Sequence, residues 1–222
     1  MRRYCCRRST FRCVYYLAME APAADVAAFV LAGGKSTRMG SDKAFVLLDG
    51  RTLLDCALEL ARSVTREVCI AGNAAKFAAF APVVEDIFRE CGPLGGIHAA
   101  LRASTAELNL VLAVDLPFLS SALLEFLINK ARRSDAMVTV PRAEGRLQPL
   151  CAVYRRKFGD AAEQALLAGR YKIGAVIEEV RRCVVDEEEL QISGFAVEMF
   201  RNLNTREDLA SAAADQRARV ED

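Results

Sequence analysis

Phe29-Val30-Leu31-Ala32-Gly33-Gly34-Lys35-Ser36-Thr37-Arg38-Met39-Gly40-Ser41-Asp42-Lys43 is the stretch whose reading decides how this chain folds. The apolar run Val26 to Leu31 reads as a buried strand and opens directly into glycines, small hydroxyl residues and cations. Gly33 and Gly34 can take backbone angles closed to other residues and let a ligand rest against peptide N–H groups. Lys35, Arg38 and Lys43 place positive charge around the same turn, enough to meet a triphosphate.

Two commoner phosphate loops are excluded by spacing. A Walker A loop needs a glycine five residues before Gly34, where Phe29 stands, and a G-x-G-x-x-G fingerprint does not contain adjacent glycines followed next by Gly40. A surface turn with solvated lysines is the plainer alternative. The direct succession of buried strand and glycines argues against it.

At 222 residues the chain fits one large α/β domain. A net charge of +1 provides no electrostatic footprint for nucleic acid or an anionic membrane, so the loop cations are read as local ligand contacts. The eight cysteines form no C-x-x-C pair and the chain has a single histidine, His98, which argues for reduced core thiols in a cytoplasmic protein rather than a zinc site. No run reaches the roughly 18 to 20 apolar residues of a membrane span. His98 is read as a packed or capping residue, not a general base.

After the loop, Thr52-x-x-Asp55 has capping-box spacing and opens a helix to about Ser63. Glu67 to Ala71 and Val83-Val84 read as strands, and Gly92-Pro93-Leu94-Gly95-Gly96 as a turn before a helix from about Ile97 to Ala103. Asn109 to Val114 is a further strand, and Ser120 or Ser121 caps the next helix. This alternation predicts a mostly parallel, doubly wound sheet. In the second half, Ala136 to Val140 and Leu150 to Tyr154 suggest an antiparallel pair. Helices are expected over Lys157 to Ala168 and Ile173 to Val180. Cys183 to Val185 and Ala196 to Phe200 are strand candidates around an acidic bend at Asp186 to Glu189, and Thr205 to Asp208 caps a last helix.

Asp115 directly follows a buried strand, so it lies at the carboxyl edge of the sheet, where open α/β folds bind ligands; one carboxylate there suits Mg²⁺ bridging triphosphate oxygens. Asp86, at another strand end, can accept two N–H bonds from a guanine edge, although such an aspartate is also a common solvated turn residue.

Together these motifs resemble a known family. The Leu31-Ala32-Gly33-Gly34 loop with Arg38-Met39-Gly40 and Lys43 is similar to the signature of nucleotidyltransferases that make nucleoside-diphosphate conjugates. It is followed in order by Val84-Glu85-Asp86, Gly92 to Gly96, Asp115-Leu116-Pro117, Gln148-Pro149-Leu150 and Asn202-Leu203-Asn204-Thr205. The ordered set most resembles the molybdenum cofactor guanylyltransferases; Arg206 stands where that family has a proline after the threonine. The resemblance implies a single-domain, three-layer α/β/α, Rossmann-like nucleotidyltransferase fold with a mostly parallel sheet and a mixed C-terminal part.

It also implies an activity: transfer of GMP from GTP to the terminal phosphate of molybdenum-loaded molybdopterin, with release of pyrophosphate. Leu31, Ala32, Gly33, Gly34, Lys43, Asn73, Asp86 and Asp115 would bind GTP, with Arg38, Lys43 and Asp115 acting in catalysis and Asp115 holding Mg²⁺. Gln148, Pro149, Asn202 and Asn204 would meet the acceptor, with Arg142, Arg146, Arg155 and Arg156 as candidates for its phosphate. Molybdenum-insertion proteins and recipient molybdoenzymes would be the protein partners. The alternatives are a cytidylyltransferase acting on the same pterin, another small-phosphate nucleotidyltransferase, and an inactive nucleotide-binding module. The family-like domain is expected over 24–214 with a charged tail over 215–222. Residues 1–23 read as an atypical N-terminal extension, whose Arg- and Cys-rich first eighteen residues are expected to be a start-site artefact with Met19 as initiator, or else a basic docking arm.

Overall fold

The computed structural model describes residues 25–33, 42–203 and 208. The expected loop residues Gly34 and Arg38, the acceptor candidate Asn204, the last helix's capping residues 205–207 and both terminal segments lie outside the described residues.

Ten strands alternate with seven helices among the described residues. In chain order they are β1 (Val26–Leu31), β2 (Leu47–Leu48), β3 (Arg51–Thr52), α1 (Leu53–Arg62), β4 (Glu67–Ala71), α2 (Ala74–Phe77), β5 (Val83–Val84), α3 (Pro93–Ala103), β6 (Leu108–Ala113), α4 (Ser121–Arg132), β7 (Val138–Ala143), β8 (Arg146–Leu147), β9 (Cys151–Arg155), α5 (Phe158–Leu167), α6 (Ile173–Glu178), β10 (Arg182–Val185) and α7 (Glu187–Ile192). The main sheet runs β10-β7-β9-β6-β1-β4-β5, with β8 paired to β7. β6, β1, β4 and β5 are parallel, β9 is antiparallel between β6 and β7, and β10 is parallel to β7.

The layers follow from alternation along fully apolar strands. Val26, Ala28 and Val30 of β1 join a core with α1 and α4, whereas Leu31 joins α3, α5 and α6, and Ala27 and Phe29 meet Ala100 of α3 on that same side. Leu110 and Leu112 of β6 face the first side and Val111 the second. Because both faces are covered by helices, the central strands carry no polar face. The three-layer fold with a mixed C-terminal part is as expected.

Chain direction sets the site. From β1 the chain crosses through α1 to β4 on one side and later returns through α3 to β6 on β1's other side. Right-handed crossovers in opposite directions place those helices on opposite faces. Strand order therefore reverses at β1, leaving a crevice at the carboxyl ends of β1 and β6, the usual binding position in such sheets.

Several local expectations are corrected. α3 begins at Pro93, not near Ile97: Gly92, at φ 64, is its cap residue, Pro93 occupies the first helical position, and the glycines form its first turn. Asp186 to Glu189 is not a bend but the opening of α7, where three glutamates in the first turn oppose the positive helix end. Val197–Phe200 is a 3-10 turn rather than a strand. Asp49-Gly50 and Glu144-Gly145 both take positive φ at two successive residues, the geometry of tight two-residue hairpins joining β2 to β3 and β7 to β8.

Candidate active site

The carboxyl edge gathers most of the residues singled out above. β1 ends in Leu31, whose carbonyl accepts from Val114 N–H at 3.2 Å, and Ala32 donates its N–H to Ala71 O at 3.1 Å. The sheet ladder thus consumes the Ala32 amide, and the first residue of the loop beyond that ladder is the exposed Gly33.

Lys43 and Asp115 meet across this crevice. Lys43 opens a 3-10 turn, Lys43–Phe45, and its Nζ lies 3.1 Å from Asp115 Oδ2. Their side chains keep 22% and 18% of their exposure, so the pair is shielded yet reachable from solvent. Asp42 caps the turn: one carboxylate oxygen accepts Ala44 N–H at 3.2 Å, and the other accepts Lys76 Nζ at 2.9 Å. Among the described residues no cluster of three or more His, Cys, Asp or Glu side chains is arranged to hold a metal.

Asp86 follows β5 and faces the first turn of α3. Its Oδ1 would lie 3.5 Å from a Cβ on Gly96 and its Oδ2 3.8 Å from one on Gly95. No donor among the described residues reaches this carboxylate, and partial burial raises its pKa above the ordinary aspartate value. A desolvated acceptor beside a glycine-lined helix start suits a ligand's N–H edge. Asn73 is exposed near the same edge, but its side-chain oxygen caps α2 through Lys76 N–H at 3.2 Å, and Glu85 accepts Ala74 N–H at 3.0 Å.

The acceptor-side residues divide. Leu203 N–H donates to Asp115 O at 3.0 Å, which sets Asn202 beside the site, exposed. Leu150 O accepts Ala113 N–H at 2.8 Å, bringing the Gln148-Pro149 loop to the end of β6. The Gln148 amide nitrogen folds back on Ala143 O and Arg146 O, and Pro149 O accepts the Tyr154 hydroxyl at 2.8 Å. Arg142 and Arg146, around the β7–β8 hairpin, share this edge; Arg142 pairs with Asp186 at 3.2 Å. Arg155 and Arg156 do not. β9 runs antiparallel to β6, so Arg155 pairs with Leu108 at the opposite edge, where its guanidinium binds Glu107 and the carbonyls of Ala131, Ser134 and Ala136. It is an anchor, and the expectation that it meets a phosphate is corrected.

His98 is 1% exposed on α3 and packs edge-on against Phe88 at 5.1 Å. Burial lowers its pKa, with a smaller opposing pull from Glu163, so the ring is neutral. Arg102 Nε donates to its Nε2 at 3.4 Å. Burial pushes the Cys151 thiol up to about 12, leaving no thiolate for chemistry. The residue missed in the sequence is Lys76, whose tie to Asp42 spans 34 positions and follows no motif.

Residues 28–185 match the family model described as a MobA-like NTP transferase domain. The chain belongs to that family. A molybdenum cofactor guanylyltransferase of Desulfosudis oleivorans is 35% identical over 192 residues, 85% of this chain and 95% of the relative. A probable molybdenum cofactor guanylyltransferase of Thermococcus gammatolerans is 35% identical over 188 residues, covering 81% and 95%. Among solved structures, the molybdopterin-guanine dinucleotide biosynthesis protein A of Archaeoglobus fulgidus superposes with a TM-score of 0.77 at 28% identity, covering 86% of this chain and 99% of that one. The 2-C-methyl-D-erythritol 4-phosphate cytidylyltransferase of Thermus thermophilus shares the fold, with a TM-score of 0.65 at 21% identity. The family resemblance and the nucleotidyltransferase class read from the motifs are borne out. No helix among the described residues is long and apolar enough to cross a membrane.

Proposed function

We propose that this chain transfers GMP from GTP to the terminal phosphate of molybdenum-loaded molybdopterin, forming molybdopterin guanine dinucleotide and pyrophosphate. The observation that carries the reading is the Lys43–Asp115 pair, 3.1 Å apart at the sheet's switch point, where β1 ends and Gly33 opens the glycine loop. The printed names of the relatives above support the choice of guanine and of the pterin acceptor.

The reaction needs alignment and charge neutralisation more than proton transfer, because the acceptor is already a phosphate anion. An acceptor oxygen bonds to the α-phosphorus while the bond to the bridging α–β oxygen breaks, and that electron pair leaves on pyrophosphate. Lys43, with Arg38, neutralises the triphosphate and the leaving group, and Gly33 and Gly34 let backbone amides approach it. Asp86 accepts from the guanine edge, and Leu31, Ala32 and Asn73 border the nucleoside. Gln148, Pro149, Asn202 and Asn204 border the pterin.

Mg²⁺ keeps most of its waters and takes one or two carboxylates plus phosphate oxygens, so the single accessible carboxylate of Asp115 fits it without a protein cage. When bound it would supply charge compensation for the triphosphate. A GTP-dependent reaction and the reduced thiols Cys56, Cys69, Cys91, Cys151 and Cys183 fit a cytoplasmic setting. Molybdenum-insertion proteins and recipient apoenzymes would be the partners. The test is pyrophosphate release from GTP, CTP, ATP and UTP in turn, with Mg²⁺ and the loaded pterin. Release that requires both GTP and pterin is expected; a preference for CTP would move the chain to the sibling reaction, and silence with all four would refute nucleotidyl transfer.

A further inference from the structure

Lys43 acts only if its ammonium is held over the crevice. It sits on a long flexible stem at the start of a three-residue 3-10 turn, a weak element alone. The nearest carboxylate in sequence is Asp42, its immediate neighbour and a competitor with Asp115 for its charge.

We infer that Lys76 is a positioning residue for Lys43: by neutralising Asp42 and tying it to α2, it leaves Lys43 directed across the crevice at Asp115. Two ion pairs flank the turn, Lys43 with Asp115 at 3.1 Å and Lys76 with Asp42 at 2.9 Å, and Asp42 also caps the turn that carries Lys43. A second contact reinforces the grip, since Phe45 of that turn stacks on Phe77 of α2 with centroids 5.8 Å apart and meets Phe80 at the same distance. α2 is itself fixed to the sheet's edge, by its Asn73 cap, by Glu85 accepting Ala74 N–H, and by Phe77 buried to 1% exposure. The helix thus links the strand ends carrying Asn73 and Glu85-Asp86 to the cation that meets the triphosphate.

This inference rests on the proposed GTP site, and a double-mutant cycle on GTP–Mg²⁺ affinity, read by titration calorimetry without acceptor, tests it separately from the transfer reaction. Lys76 is more than half exposed, so Lys76→Met is expected to fold with an unchanged Tm. It should weaken GTP binding about two- to fivefold, the range of an exposed ion pair. Lys76→Arg should restore most of the loss. In a Lys43→Ala background, Lys76→Met should produce no further loss, because Lys76 acts through Lys43. An equal loss with and without Lys43 would mean that Lys76 meets the nucleotide itself, and no loss in the wild-type background would mean that it positions nothing; either result overturns the inference. Wild-type protein that binds GTP but releases no pyrophosphate would refute the proposed reaction while leaving the cycle to decide the role of Lys76.

Discussion

Adjacent glycines in the first turn of α3 provide a paired test of the site's geometry. A Cβ on Gly95 would lie 2.8 Å from the backbone carbonyl of Phe88 and 3.4 Å from Cys91 Cβ. Backbone cannot swing aside, and overpacking of this kind costs roughly 1–3 kcal/mol, against a gain of up to about 1 kcal/mol for replacing glycine in a helix. Gly95→Ala is therefore expected to lose about 1 kcal/mol, a fall in Tm of about 2–4 °C for a chain this size. A Cβ on Gly96 meets Asp86 Oδ1 at 3.5 Å and Leu31 Cδ2 at 3.6 Å, ordinary contact distances. Gly96→Ala should keep most of the helix gain and raise Tm by up to about 2–4 °C. The same methyl stands against the Asp86 carboxylate, the proposed acceptor for the guanine edge, so the more stable variant should bind GTP less tightly. Calorimetric melting of both variants, followed by GTP titration, checks the pair. Equal destabilisation by both would refute the packing argument; a stabilised Gly96→Ala with unchanged GTP affinity would refute the placement of the base beside Asp86.

Three further outcomes follow. Asp86→Asn should stabilise the unliganded protein at neutral pH while weakening GTP: because burial raises the folded-state pKa, the native carboxyl takes up a proton more readily than the unfolded one, and its unfavourable contribution above that pKa relaxes as pH falls through it. Wild-type GTP affinity, titrated against pH with Asp86→Asn as control, should accordingly decline on acidification from a pH above the ordinary aspartate range. Lys43→Ala should lower kcat about 100-fold, as removal of a transition-state charge contact does, with the protein still folded by circular dichroism. Arg155→Ala should do the reverse, costing about 2–3 kcal/mol through its lost carbonyl bonds while kcat holds, as read from a Tm lowered by about 4–12 °C and an unchanged turnover.

The parts legible in sequence are those governed by short-range chemistry. The β1 run, the Thr52 cap with its bond from Asp55 N–H at 3.0 Å, and an aspartate just past a buried strand each announce their position locally. α3 was obscured because glycines read as breakers, although Pro93 after Gly92 was the start signal. α7 was obscured because acidic residues read as a solvated bend, although their place ahead of Leu190 suits a helix N-terminus. Arg155 is different in kind: the antiparallel pairing of β7 and β9 was legible, but nothing near Arg155 reveals that β9 inserts beside β6, and that placement sends it to the far edge. The Lys76–Asp42 tie is equally invisible, since it depends on where α2 docks.

The most direct test of the account follows the two ends of the nucleotide separately. With GTP labelled at the α-phosphorus, molybdenum-loaded molybdopterin and Mg²⁺, the label should appear in the dinucleotide product; with GTP labelled at the γ-phosphorus it should appear only in pyrophosphate. Label from the γ-position on the pterin, or α-label released only as GMP or GDP, would contradict guanylyl transfer and reassign the Lys43–Asp115 crevice to a different phosphate chemistry.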